Sequence, residues 1–253
     1  MNNYHQNEEA GKFSWEEKEI DSIRLTMDDR SEILRYVGYS GQPLTDEFES
    51  QLQICMEKVN AVAQPRLIAT LFQCEPVVVG DVIVEYKWPE SLNFLTGEDI
   101  HTHLKECREV LLFGATIGAS IDRAIRVEEM REPVHALLMD ACGSTLIESV
   151  CDHFEAILRR RYRDGEEHWH LTTRFSPGYG DLPLEIQNHY ADVIEARRIG
   201  LTVTPEHIMI PRKSVTAIIG IADHEIGEKH RSCDSCNMNA HCRFRKHGVL
   251  CGE

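Results

Sequence analysis

The sequence lacks an excess of basic residues and a long apolar run, and each shortage excludes a class of protein. Lys and Arg number 27 against 42 Asp and Glu, so the net charge is −15 with histidines neutral. Proteins that bind nucleic acids or anionic membranes need a basic surface, so we expect neither partner. The most apolar stretch, residues 110–121, is twelve residues long, whereas a membrane-spanning helix needs about 20.

Several sequence signatures are missing as well. There is no GxxxxGK[ST] phosphate loop, no GxGxxG, no GxSxG and no HExxH. Nothing therefore supports an ATPase, a nicotinamide dehydrogenase or a serine hydrolase. The N-terminus carries Glu8, Glu9, Glu16 and Glu17 in place of the basic leader and apolar core of a signal peptide, so we expect a cytoplasmic protein.

The 253 residues, 42% of them hydrophobic, are enough for one large domain or two modest ones. Helical periodicity and β-branched runs follow each other without a βαβ rhythm, which favours an α+β fold over a doubly wound one.

His101 and His103 lie two residues apart on a predicted helix, where side chains diverge, so we expect surface residues there. Helices are predicted over residues 31–39, 45–64, 133–162 and 184–198, around Ile100 and from about Gly118; strands are predicted over 109–116, 168–175, 201–203 and 214–222, with a strand pair near 77–84.

One segment has residues that suit a small charged ligand. Arg174 and Tyr179 flank residues 175–178 at a predicted strand end. The arginine offers a planar fork that matches a carboxylate, and Gly178 lets a ligand approach the backbone. The alternative is a turn with a surface arginine.

This segment resembles a known family. RFSPGY at 174–179 resembles the R-x-x-P-G-Y motif of the activation domain of cobalamin-dependent methionine synthase. The similarity continues in register over more than forty positions, with IG at 199–200, LT at 201–202, M-x-P at 209–211 and SV at 214–215. Earlier in the chain, RYVGY at 35–39 and ATIGASIDRAI at 115–125 resemble short stand-alone relatives of that domain.

The resemblance implies a fold and a division of the chain. The expected architecture is a mixed or antiparallel twisted sheet flanked by helices. Residues 1–95 would form an N-terminal helical and strand segment that packs on the core, residues 96–225 the activation-domain-like core, and residues 226–253 a Cys-rich tail.

The resemblance also implies a function in methionine biosynthesis. The protein would bind S-adenosylmethionine and support reductive remethylation of the cobalamin carried by a partner methionine synthase or other corrinoid methyltransferase. An electron donor such as flavodoxin or ferredoxin would take part. Arg174 would hold the ligand's carboxylate, Pro177, Gly178 and Tyr179 would shape the pocket, and Glu148 would face the ammonium group. The alternative for Glu148 is an exposed helix carboxylate.

The nine cysteines fall into two groups. Four of them lie within the last 21 residues and could bind zinc or an iron–sulfur cluster, with His241 as a substitute ligand for the last; incidental thiols in a flexible tail are the alternative. A metal-binding or redox adaptor with a vestigial S-adenosylmethionine pocket is therefore a rival function. The tail cysteines are Cys233, Cys236, Cys242 and Cys251; the five that occur singly among apolar residues, where cysteine behaves as a small hydrophobe, are Cys55, Cys74, Cys107, Cys142 and Cys151.

Overall fold

A five-stranded antiparallel sheet forms the centre of the molecule in a computed structural model that describes residues 12–39, 41–163 and 169–226. The strand order is β1-β2-β5-β9-β6. Leu71 of β2 pairs with Leu111 of β5, and Phe113 of β5 pairs with Ala217 of β9. The five strands are β1 Lys12–Glu17, β2 Arg66–Gln73, β5 Glu109–Thr116, β6 His170–Leu171 and β9 Ser214–Ala222.

Two strand pairs and six α-helices surround this sheet in the described ranges. The pairs are β3 Glu75–Val79 with β4 Val82–Lys87, and β7 Thr202–Val203 with β8 Met209–Ile210. The helices are α1 Arg30–Tyr36, α2 Asp46–Val62, α3 Glu98–Leu104, α4 Ala119–Arg131, α5 Pro133–Arg163 and α6 Gln187–Val193.

Both faces of the sheet are covered. This explains why the sequence of β5 is apolar at every position from 110 to 115 and does not alternate with polar residues. Leu111 and Phe113 belong to a core cluster with α5, including Phe154. Val110 and Leu112 belong to a second cluster on the opposite face, with α3 and α6. A strand buried on both faces reads as a continuous apolar run, as the sequence 109–116 predicted.

Local signals in the sequence set the helix ends. The Thr45 hydroxyl accepts a hydrogen bond from the Phe48 N–H at 3.2 Å and caps α2. Pro133 opens α5, whose 31 residues agree with the predicted long helix. The predicted α+β class and the helix-flanked antiparallel sheet are confirmed. The division at residues 95 and 225 stays a prediction, although β1 and β2 share one sheet with β5.

The predicted helix over 184–198 is wrong in its continuity. The chain forms a 3₁₀ turn at Leu184–Ile186, then α6, then a second 3₁₀ turn at Ala196–Ile199. Glu195 between them has a left-handed φ of 56°. A continuous helix would place Ala196 about 120° and Ile199 about 180° around the helix axis from the buried Tyr190. The break turns both residues back into the core, where each is buried.

The predicted strand over 168–175 is also shorter than expected. Within the described residues, β6 covers only His170–Leu171, and Phe175 adds an isolated bridge to Ile218 of β9. Between them the Thr172 hydroxyl accepts the Gly220 N–H at 2.8 Å. A side chain thus replaces part of the backbone ladder.

Candidate functional site: an arginine held by an acidic helix stripe

Arg174 lies directly before the bridge that ties its segment to the sheet. The Phe175 N–H donates to the Ile218 carbonyl at 2.9 Å, and the Ile218 N–H donates back to the Phe175 carbonyl at 2.7 Å. These two bonds place the backbone of Arg174 at the edge of β9, from which its side chain reaches α5.

Three carboxylates of α5 contact the Arg174 guanidinium. Nη2 lies 2.8 Å from Asp152 Oδ1 and 3.3 Å from Glu148 Oε2. Nε lies 3.0 Å from Glu155 Oε1. Positions 148, 152 and 155 have the i, i+4, i+7 spacing of one helix face. We call the three carboxylates and Arg174 the arginine cluster.

Arg174 is therefore not a surface arginine: its side chain is only 11% exposed. Burial by itself would lower the pKa of the guanidinium, but the surrounding negative charge outweighs it and holds that pKa above its ordinary value. Three carboxylates face one guanidinium, so the cluster is acidic as a whole. Its outer members are accessible, since the side chain of Glu148 is 42% and that of Asp152 66% exposed.

The predicted pocket residues 177–179 form a compact turn after Arg174. The Tyr179 N–H donates to the Ser176 carbonyl at 3.0 Å, and the Gly178 N–H donates to the Leu182 carbonyl at 2.9 Å. Gly178 has a φ of 91°, which favours glycine. Pro177 is buried, whereas Tyr179 is 53% exposed.

Helix α3 anchors this turn through interactions that the sequence did not reveal. Asp181 accepts hydrogen bonds from the N–H groups of Glu98 at 2.6 Å and Asp99 at 3.1 Å, at the start of α3. In return, the Asp99 carboxylate accepts the Asp181 N–H at 3.2 Å. His103 Nε2 donates to the Thr173 carbonyl at 2.9 Å. His103 is half-buried and holds the turn through the Thr173 backbone, whereas His101 is exposed, as predicted.

Helix α1 borders the cluster on the side of Glu148. Burial, and then the Glu148 carboxylate, raise the pKa of the Tyr36 hydroxyl. The Arg35 guanidinium lies over the Tyr36 ring, 4.6 Å from its centre. Beside them, the Ser149 hydroxyl donates to Asp29 Oδ1 at 3.2 Å.

The structure brings Arg174 and Glu148 into contact and adds residues that the sequence reasoning missed, while the ligand-binding roles of both residues stay predictions. Asp152, Glu155 and Tyr36 were not predicted. The spacing 148, 152, 155 was a usable signal, because it places three acids on one helix face. Tyr36 belongs to RYVGY, which resembles a segment of the stand-alone relatives, but that motif by itself did not place Tyr36 beside the arginine cluster.

The cysteines give no metal site in the part of the chain that the structure describes. Four of the five single cysteines are buried and Cys74 is half-buried. Burial raises the pKa of Cys55 to about 11 and those of Cys74, Cys107 and Cys142 to about 12. Within those ranges, no group of three or more His, Cys, Asp or Glu is placed to hold a metal ion. The four tail cysteines and His241 lie outside the described residues.

Helix α5 is long and apolar enough over Pro133–Tyr162 to pass a length and composition test for a membrane span. However, 61% of its most apolar window is buried inside the molecule. It packs on the sheet through Phe154, which is how a core helix is placed.

Comparison with known proteins identifies the fold. No protein-family model matches the sequence, and no curated protein matches it. Among solved structures, the chain is similar to the MetH reactivation domain bound to AdoHcy, with a TM-score of 0.57 and 15% identity. The match covers 97% of this chain and 87% of that chain. The chain has the fold of the MetH reactivation domain.

Proposed function

We propose that this protein binds S-adenosylmethionine at the arginine cluster and supports reductive remethylation of cobalamin on a partner methionine synthase or other corrinoid methyltransferase. The observation that carries the proposal is the contact between Arg174 and Glu148. The resemblance assigns Arg174 to the carboxylate and Glu148 to the ammonium group of the ligand, and these two groups are attached to the same carbon atom. The two residues come from segments 26 residues apart, in a chain whose fold matches a domain solved with AdoHcy bound.

The charge of the cluster suits this ligand. S-adenosylmethionine carries a sulfonium, an ammonium and a carboxylate, so it is a net cation. The cluster has more carboxylates than guanidinium groups, and it therefore attracts a cation. The exposed oxygens of Glu148 are available to the ammonium group.

The carboxylate of the ligand must replace one partner of Arg174. Asp152 is the member most easily displaced, because its side chain is 66% exposed. An exposed ion pair contributes only about 0–1 kcal/mol. Glu155, with 18% exposure, keeps its contact with Nε and holds the guanidinium in place.

The ligand and an electron donor supply the chemistry. S-adenosylmethionine gives its methyl group to the partner's reduced cobalt and leaves as S-adenosylhomocysteine, while the donor provides one electron to the oxidised cobalt. Methyl transfer is favourable and draws the uphill reduction forward. This chain's own residues bind the carboxylate and ammonium groups of the ligand and thereby orient its sulfonium, and proximity of this kind contributes as much as about 7–11 kcal/mol.

Calorimetric titration of the full chain with S-adenosylmethionine tests the binding step. Arg174→Lys keeps the charge that the three carboxylates need but removes the planar fork, so we expect affinity to fall about tenfold or more. Glu148→Gln removes the ammonium partner and should weaken binding similarly, while Asp152 and Glu155 still hold Arg174. Arg126→Lys, an exposed change on α4, is the matched control.

Two results would contradict the binding step: no binding by the wild type, or equal binding by all three variants.

The remethylation step has its own test. The cobalt spectrum of a corrinoid protein is followed on adding reductant, S-adenosylmethionine and this protein. We expect conversion of the oxidised cobalt only when all three are present. Binding without conversion would leave an S-adenosylmethionine-binding protein with another role.

A further inference from the structure

A polar cleft of about 420 Å³ lies apart from the arginine cluster. It opens between the end of β1, the start of β2 and the 3₁₀ turn Ala196–Ile199. None of the segments that form the arginine cluster contributes to its lining. The lining residues are Glu16, Lys18, Asp21, Arg24, Ala63, Gln64, Pro65, Arg66 and Arg198.

The cleft is basic although the chain carries a net charge of −15. Four cationic side chains and two carboxylates line it. One carboxylate, Glu16, is shared between Lys18 at 2.9 Å and Arg198 at 3.2 Å. A cleft lined mainly by one sign of charge concentrates ions of the opposite sign.

Two arginines of the cleft are not neutralised by carboxylates within the described residues. Nη1 of Arg24 donates to the backbone carbonyls of Asp21 at 3.1 Å and Ile23 at 2.7 Å, which orient the guanidinium without cancelling its charge. Arg66 is exposed at the first position of β2 and forms no ion pair with any residue that the structure describes.

Of the acidic residues next to the cleft, Glu195 pairs with the lining residue Arg198 at 3.2 Å, whereas two others are bound to arginines outside the cleft. Glu17 accepts a hydrogen bond from Arg161 at 2.5 Å, and Glu19 accepts one from Arg160 at 2.6 Å. Both arginines belong to α5. Their pairing removes two nearby negative charges that would otherwise repel an anion.

We propose that this cleft is a second binding site, for the diphosphate or phosphate ester group of a small anion. Guanidinium forks match phosphate oxygens in two parallel hydrogen bonds, and Arg24 and Arg66 supply two such forks. The volume is within the range of small-molecule sites. None of the described residues that line the cleft is aromatic, so they offer no ring on which a nucleotide base can stack.

Titration of the full chain with sodium pyrophosphate, followed by calorimetry, tests the site. We expect Arg66→Gln to lower affinity about tenfold or more. Asp21→Asn should act in the opposite direction and raise affinity up to about fivefold, because it removes the carboxylate that repels the ligand. Arg126→Gln removes one positive charge, as Arg66→Gln does, but at an exposed position on α4, so it should leave the affinity for pyrophosphate unaltered.

A second arm uses ADP in place of pyrophosphate. Because the lining offers no stacking partner, ADP should bind no tighter than pyrophosphate. The proposal is overturned if pyrophosphate does not bind, if Arg126→Gln weakens binding as much as Arg66→Gln does, or if ADP binds tenfold tighter. Arg66 touches no residue of the arginine cluster, so this result is independent of S-adenosylmethionine binding.

Discussion

At the scale of single residues, two buried polar side chains connect separate parts of the chain through their hydrogen bonds and ion pairs. The Arg174 side chain is 11% exposed, and three carboxylates contact its guanidinium. Tyr190 is a second buried polar residue whose polar group has partners, but it is neutral. Its hydroxyl lies 2.5 Å from the Ala217 carbonyl and accepts the Phe113 N–H at 3.1 Å, in a fully buried position. Burial raises the pKa of Tyr190 well above its ordinary value, so the hydroxyl stays protonated and can donate.

Replacing Tyr190 by Phe should therefore destabilise the fold. The change leaves the buried Phe113 N–H and Ala217 carbonyl without that hydroxyl, at a cost of about 1–3 kcal/mol in the free energy of unfolding. Urea unfolding followed by circular dichroism measures this difference. Tyr39→Phe is the control, because Tyr39 is 36% exposed and loses only a hydroxyl that water replaces. Equal stability of both variants would show that the Tyr190 hydroxyl contributes nothing.

At the scale of elements, the turn after Arg174 depends on α3 more than on its own sequence. Asp181 caps the start of α3, and Asp99 of α3 binds the Asp181 N–H in return. This exchange requires close approach. A Cβ added to Gly180 would stand 2.3 Å from Asp99 Oδ2. Gly180 also has a left-handed φ of 53°, so both its conformation and its neighbour demand glycine.

Gly180→Ala should cost more stability than Gly200→Ala, and the comparison isolates the close approach. Both positions have positive φ, but a Cβ at Gly200 meets nothing within 4 Å. Both variants carry about 1–2 kcal/mol of backbone strain. Gly180→Ala should lose about 1 kcal/mol more, because Asp99 must give up a hydrogen bond. Chemical denaturation of the two variants gives the difference; a larger loss for Gly200→Ala would refute the explanation.

At the scale of the whole molecule, one acidic chain carries two groups of side chains of opposite net charge. The arginine cluster has surplus carboxylates, whereas the cleft at Arg24 and Arg66 has surplus cations. The net charge of −15 predicts neither distribution, because it is the sum of all charged residues in the sequence and carries no information on where they lie. The sign of a site is set by which side chains the fold brings together and which it pairs elsewhere.

The metal site expected in the Cys-rich tail is a further prediction at this scale. If Cys233, Cys236, Cys242 and Cys251 hold a metal, protein purified without oxygen should contain about one zinc per chain or a brown iron–sulfur chromophore. Elemental analysis and an absorbance spectrum distinguish the two. Cys236→Ser should remove the metal, while Cys74→Ser, at a half-buried single cysteine, should not. Metal-free wild-type protein would reject the prediction.

The sequence by itself determined the elements with strong local signals. The apolar run 109–116 became β5 and the residues 214–222 became β9, because β-branched and apolar runs fit a sheet that is buried on both faces. Thr45 and Pro133 marked helix ends through backbone chemistry that needs no distant partner.

Only the tertiary structure decided the break at Glu195, the anchoring of the turn by α3, and the partners of Arg174. In each case the deciding group comes from another part of the chain: the core that buries Ala196 and Ile199, Asp99 for the turn, and α5 for the guanidinium. A motif records which groups are present, but the charge and burial of a site depend on neighbours distant in sequence.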